Sequence, residues 1–172
     1  GFLVIEGKAI VEESIDKLVA AGIERVVIVT GHMSHFYERL ATERPRLIEI
    51  VHNPDFAISG SMYSLYCARH LLDADFLLLE SDLVYEQRAL ETLLRADSGD
   101  VVLLSSATGA GDEVWVQASD GVLVHMSKQC SELGWVTGEL VGISRISNGL
   151  YRQMCRVASR CLAETLQITY ET

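Results

Sequence analysis

From Arg25 to Ser105, short β-branched or leucine-rich runs alternate with segments of about ten residues whose apolar side chains recur at helical spacing. This alternation is the tightest constraint on the fold. Strand–helix–strand units wind right-handed and build a mostly parallel sheet covered on both faces. The predicted elements are a helix over Ala9 to Ala21 closed by Gly22, a strand over Arg25 to Thr30, and a helix over Ser34 to Glu43. They continue with a strand over Leu47 to Val51, a helix over Met62 to Leu72, a strand ending at Asp82, a helix over Gln87 to Arg95 and a strand over Asp100 to Ser105. From Glu113 the pattern changes. Glu113 to Ala118 and Val122 to Met126 flank Ser119-Asp120-Gly121 as a hairpin flanks its turn, and a strand over Glu139 to Ile146 precedes a helix over Asn148 to Leu162. The expected class is α/β: a three-layer, Rossmann-like arrangement with a mostly parallel, mixed central sheet and an added β-hairpin.

A chain of 172 residues with 49% hydrophobic content suffices for one well-buried domain, and no linker divides residues 1–172. Twenty-four acidic against fourteen basic residues give a net charge of −10, which disfavours nucleic acid or an anionic membrane as partner. A small ligand fits better, and an anionic one is still accessible through a divalent cation. Cys67, Cys130, Cys155 and Cys161 lack metal-ligand spacing, and three of them stand in apolar segments, so buried free thiols and a reducing cytoplasm are expected. No apolar run reaches the roughly 18 residues that span a bilayer.

The most informative stretch is Asp73-Ala-Asp-Phe-Leu-Leu-Leu-Glu-Ser-Asp-Leu-Val-Tyr-Glu86, an apolar run that stops at Glu80 and Asp82. Acids at the end of such a strand either make a turn and cap the next helix, or hold a metal and a phosphorylated ligand at the sheet edge. Asp82 is the first candidate for the second role, and Glu80, two residues earlier, shares its face if the strand persists. His32 and His35 have ligand spacing but no third ligand nearby, and read as loop and capping residues. Neither a G-x-S-x-G elbow nor a P-loop occurs.

The opening Gly1-Phe-Leu-Val-Ile-Glu-Gly-Lys-Ala-Ile-Val-Glu-Glu-Ser-Ile-Asp-Lys-Leu18, the Gly22-Ile-Glu-Arg-Val-Val-Ile-Val-Thr-Gly31 segment, and Asn53-Pro54 ahead of Ser61-Met-Tyr-Ser-Leu-Tyr66 together resemble the nucleotidyltransferases of the sugar-phosphate and phosphocholine cytidylyltransferase type. Five blocks in order, Gly60-Ser-Met-Tyr-Ser-Leu65, Leu79-Glu-Ser-Asp-Leu83, Gly111-Asp-Glu-Val114, Met126-Ser-Lys128 and Gly138-Glu-Leu-Val-Gly142, narrow the resemblance within that superfamily. The resemblance covers nearly the whole chain and is greatest to the 2-aminoethylphosphonate cytidylyltransferases, with phosphocholine cytidylyltransferases next. The family's glycine-rich L-A-A-G-x-G-x-R-L loop and Pro-Lys pair, and its second metal-binding Asp, are not found in these residues. The resemblance implies transfer of CMP from CTP to an aminoalkyl phosphonate with release of pyrophosphate, and assigns the Mg²⁺-binding Asp to Asp82. It places the nucleotide at Gly60, Ser61 and Ser81.

For an ammonium-bearing substrate the candidates are Asp112, Trp115, Glu139 and Glu171, since such a group is held by carboxylates or over an aromatic face at about 0.5–2 kcal/mol per contact. Trp115 fits a core strand equally well. Glu139 in an apolar strand needs a partner, for which a substrate amine, Lys128 or Arg145 would serve. Lys128 resembles a family position near the phosphonate and is otherwise a surface lysine. The alternatives are a phosphocholine or sugar-1-phosphate nucleotidyltransferase, or a non-catalytic sensor or assembly subunit with the same fold. Leu and Val on exposed faces near the C-terminus leave room for a homodimer.

Overall fold

A computed structural model describes residues 1–171. A small hairpin, β1 (Val4–Ile5) and β2 (Lys8–Ala9), leads into α1 (Ile10–Ala20). Then follow β3 (Val26–Thr30), α2 (Ser34–Glu43) and β4 (Ile48–His52), with β3 and β4 paired in parallel from Val26 opposite Ile48 to Thr30 opposite His52. The helix α3 (Ser61–Cys67) runs on as a 3₁₀ turn over Ala68–His70, so the predicted helix to Leu72 ends in a tighter coil. β5 (Phe76–Leu79), α4 (Gln87–Arg95) and β6 (Val101–Ser105) complete the alternating half.

In the second half β7 (Trp115–Ser119) and β8 (Val122–Ser127) form the expected hairpin, with Asp120 and Gly121 both at positive φ as a tight reversal requires. β9 (Gly138–Ile146) is the longest strand and the centre of its sheet: it lies antiparallel between β5 and β6 and also pairs with the start of β7. The helix α5 (Asn148–Cys161) closes the order, its start capped by the Ser147 hydroxyl, which accepts from Leu150 N–H at 3.1 Å.

Successive residues of β5 face opposite sides, and the packing follows that period of two. Leu77 and Leu79 pack with Leu18, Leu90, Leu93 and Ile143. Phe76 and Leu78 pack with Met62, Leu65, Tyr151 and Ala158. Helices α1 and α4 thus cover one face and α3 and α5 the other, which is the three-layer arrangement the sequence implies. A third cluster joins α1 to α2 and β4 through Val11, Ile15, Leu40 and Ile48.

The cysteines correct one expectation. Cys67 and Cys155 are half-buried, Cys130 and Cys161 are exposed, and all four are free thiols. Cys161 is the last residue of α5, so its apolar neighbourhood in sequence does not become a buried one in space, and Cys130, among polar residues in sequence, opens a short surface turn. No helix among the described residues is long and apolar enough to cross a membrane.

Candidate functional site

The C-terminal end of β5 is where Gly60, Ser61, Glu80, Ser81, Asp82 and Glu171 of the candidate residues gather. The strand stops at Leu79, and Glu80, Ser81 and Asp82 turn out into solvent rather than continuing it, so Glu80 and Asp82 are neighbours in a turn and not on one strand face. Asp82 is exposed and makes no hydrogen bond or ion pair among the described residues. Glu80 is held: its N–H donates to Gly142 O at 3.0 Å, and its carboxylate accepts the Tyr170 hydroxyl at 2.6 Å. Gly142 lies at φ +77°, and a Cβ there would stand 2.8 Å from the Glu80 carboxylate, so the kink in β9 is what lets that carboxylate sit down on the backbone. Burial first, then Glu80 as acceptor and the charges of Glu80, Glu171 and Asp82, push the Tyr170 hydroxyl well above its ordinary range.

Gly60 and Ser61 open α3 beside this end. Asn53, buried, fixes the approach: its side-chain amide donates to Ser59 and Ser64 hydroxyls at 2.9 and 3.0 Å and its carbonyl accepts Asp55 N–H at 2.9 Å. The C-terminal segment then runs along the helix start. Gly60 N–H donates to Leu166 O at 2.8 Å and Met62 N–H to Ile168 O at 3.2 Å, so amides of the first turn already have partners. Any Cβ on Gly60 would overlap the Ile168 carbonyl, which explains the glycine by close approach of backbone to backbone. Ser61 Oγ accepts Tyr170 N–H at 3.2 Å and donates to Glu171 at 3.4 Å. Glu171 therefore joins Ser61, Glu80 and Tyr170. Ser81 is exposed in the turn, with its carbonyl against Gly1.

Trp115, Glu139 and Lys128 meet at a second corner. Trp115 stands opposite Glu139 on one side and Ser127 on the other, and Lys128 follows Ser127 directly, exposed. Trp115 is half-buried and Asp112 exposed on the loop before it. The partner of Glu139 is none of those anticipated. Its two carboxylate oxygens accept Thr108 N–H at 2.7 Å and Thr108 Oγ at 3.0 Å, while Arg145 donates to Ala96 O. Glu113 behaves similarly: backbone N–H groups of Glu113, Gly111, Gly109 and Ala110 hold its carboxyl below the usual range. No sequence signal marks Thr108 or Tyr170, and Glu113 is marked only by its place in the Gly111-Asp-Glu-Val114 block, since their partners are set by loop folding or lie 90 residues away, as Tyr170 does from Glu80.

Among the described residues no three His, Cys, Asp or Glu side chains converge on one point. His35 stacks on Phe36 within α2 and His32 lies near Phe56, apart from the acids. The donor set at the end of β5 is carboxylate oxygen only, with Asp82 unengaged, which suits magnesium, an ion that keeps several waters and takes one or two carboxylates beside phosphates.

The family described as the MobA-like NTP transferase domain matches residues 1–167. The chain belongs to that family. CMP-5'-(3-aminopropyl)phosphonate synthase of Streptomyces rubellomurinus (strain ATCC 31215) is 34% identical over 123 residues, which cover 69% of this chain and 19% of that protein. The chain thus spans about a fifth of the length of this curated relative. Among solved structures, the inositol-1-phosphate CTP transferase from T. maritima superposes with a TM-score of 0.80 at 16% identity, covering 98% of this chain and 67% of that one. UDP-glucose pyrophosphorylase complexed with UDP-glucose gives 0.73 at 13% identity, covering 99% and 74%. At these identities the two structures establish the fold.

Proposed function

We propose that the protein is a Mg²⁺-dependent cytidylyltransferase that transfers CMP from CTP to an aminoalkyl phosphonate. The observation that carries the reading is Asp82: an exposed, unengaged carboxylate at the end of β5, beside the start of α3, in a chain similar to a CMP-aminopropylphosphonate synthase. In this reaction a phosphonate oxygen attacks the α-phosphorus of CTP, a new P–O bond forms, and the bond to the β-phosphate oxygen breaks to release pyrophosphate. The protein supplies alignment and charge rather than a covalent nucleophile. Asp82 would hold the magnesium, which when bound would supply neutralisation of phosphate charge.

The remaining residues divide by what they touch. Ser61 and Ser81 flank the acid end and bind the nucleotide, with Gly60 setting the helix start. Lys128 offsets charge on the attacking phosphonate. Asp112 and the Trp115 face receive the ammonium, and Glu139 acts by ordering the Thr108 loop that carries Asp112. Glu171 lies against Ser61 and so acts at the nucleotide end.

Pyrophosphate release by the full-length protein with CTP and Mg²⁺ tests the reading, comparing 2-aminoethylphosphonate, 3-aminopropylphosphonate, phosphocholine and a sugar 1-phosphate. Preference for an aminophosphonate, lost in Asp82→Ala, is expected. Preference for phosphocholine or a sugar phosphate moves the acceptor within the same chemistry; silence with all four supports a non-catalytic role.

A further inference from the structure

The turn that carries Asp82 is anchored at both ends. At its start Glu80 is tied to Gly142 and Tyr170. At its far end Tyr85, half-buried, takes hold of α1. The Tyr85 hydroxyl shares a hydrogen bond with Ser14 Oγ at 2.8 Å, the Lys17 ammonium donates to the Tyr85 carbonyl, and the same ammonium stands 5.0 Å from the centre of the Tyr85 ring. Lys17 is steadied in turn by Glu13 at 2.6 Å, and Gln87, just past Tyr85, donates to the Lys17 carbonyl at 3.2 Å. Between the anchors Leu83 packs with Leu18, Leu90, Leu93 and Ile143, while Ser81, Asp82 and Val84 are exposed.

Apolar packing at Leu83 keeps the connection on the protein without fixing its direction. Hydrogen bonds add direction, because they weaken steeply as their angle closes. The helix that supplies them is itself firmly placed, with Val11 and Ile15 packed against Leu40 and Ile48 and Leu18 in the cluster under β5. Asp82 thus stands on a short span, two residues past Glu80 and three before Tyr85. No described side chain touches its carboxylate, so the backbone of this span alone decides where the carboxylate is presented. A site built this way depends on its supports, since a misplacement of about 1 Å costs on the order of a hundredfold in a reaction that works by alignment.

We propose that Lys17 and Tyr85 are positioning residues for Asp82: through them α1 fixes the far end of the turn and so the place at which the carboxylate meets a magnesium-bound nucleotide. This rests on the magnesium role proposed above for Asp82. Its test is calorimetric titration of the full-length protein with CTP, without acceptor, over a series of Mg²⁺ concentrations, in Lys17→Met, Tyr85→Phe and Asp82→Ala. The Mg²⁺ concentration that gives half-maximal CTP affinity is expected to rise about tenfold in Lys17→Met, the low end of what a lost outer partner costs a metal site. It should rise less in Tyr85→Phe, which keeps the ring and the carbonyl, and Lys17→Arg, which keeps a cationic donor, should stay near the unsubstituted protein. With acceptor present, kcat at saturating Mg²⁺ should hold within about twofold in both weakened variants. Charge alone works the other way, because removing a cation beside an acidic turn lowers the Mg²⁺ requirement, so a rise reports position. A merely structural role would lower the folded fraction and leave the requirement of the folded protein where it was. An unchanged requirement in Lys17→Met and Tyr85→Phe, with a raised one in Asp82→Ala, would overturn this proposal and leave the proposed function standing. An unchanged requirement in Asp82→Ala would overturn both.

Discussion

The end of β5 and the corner around Trp115 carry similar numbers of acids and use them differently. At the corner, Glu139 is buried with both oxygens engaged by Thr108, and Glu113 is wrapped by its own loop's amides. At the strand end, Asp82 stands exposed and unengaged, and Glu80 offers its carboxylate to a single hydroxyl from the far end of the chain. A carboxylate whose acceptor capacity is met by neighbouring backbone fixes a loop; one left open is free to take a cation, the role proposed above for Asp82. The contrast separates engaged from unengaged acids among residues that look alike in sequence.

The sharpest way to break this division is Asp82→Ala. Pyrophosphate release should fall by about 10²–10³-fold, the usual cost of removing one charge-stabilising group, while the urea midpoint stays put because an exposed side chain without partners contributes within about 0.5 kcal/mol. A large stability loss would make Asp82 a turn residue after all. Glu139→Ala should do the opposite first: leaving the Thr108 N–H without its acceptor costs about 1–3 kcal/mol of stability, seen in urea unfolding, with the acceptor KM rising as the loop loosens. Full stability with lost amine binding would instead make Glu139 a ligand.

Gly60→Ala sharpens the picture at the strand end. Its methyl group overlaps Ile168 O, so the C-terminal segment must shift, at about 1–3 kcal/mol for an overpacked site, and the Gly60 and Met62 amides should lose exchange protection. Tyr170→Phe has the smallest expected effect. Burial and Glu80 raise the Tyr170 hydroxyl above its unfolded value of about 10. A raised value contributes stability that is complete below pH ~10 and is lost as pH climbs past it. The variant should therefore leave neutral stability little changed and flatten part of the alkaline fall in thermal melts, the rest belonging to Tyr151, whose hydroxyl burial also raises.

Where the fold was legible, the reason was periodic burial. The helices over Ser34–Glu43 and Gln87–Arg95 have the bounds their apolar spacing implies, and Asp120-Gly121 marks the hairpin turn because only that geometry tolerates two positive φ values in a row. The strand before the acids was readable, but it stops at Leu79, three residues short of the expected Asp82, because Glu80, Ser81 and Asp82 leave the ladder for a turn. What sequence left out were long-range partners: Tyr170 at Glu80, Thr108 at Glu139, and Ile168 over Gly60. Each depends on where a loop or terminal segment lies in space, which no local pattern encodes. Glycine illustrates the point, since nothing in the sequence around Gly60 indicates that the backbone of Ile168 lies against it.

The central place of β9 has a consequence for synthesis. β5 and β6 find their shared partner only in residues 138–146, so during translation both strands wait, unpaired and apolar, until that segment leaves the ribosome. At about 5–20 residues per second the delay for β5 is roughly 3–13 s. That is ample time for two nascent copies on one message to pair through the same open edges, and it makes this half of the sheet the part of the molecule with the most to gain from a chaperone.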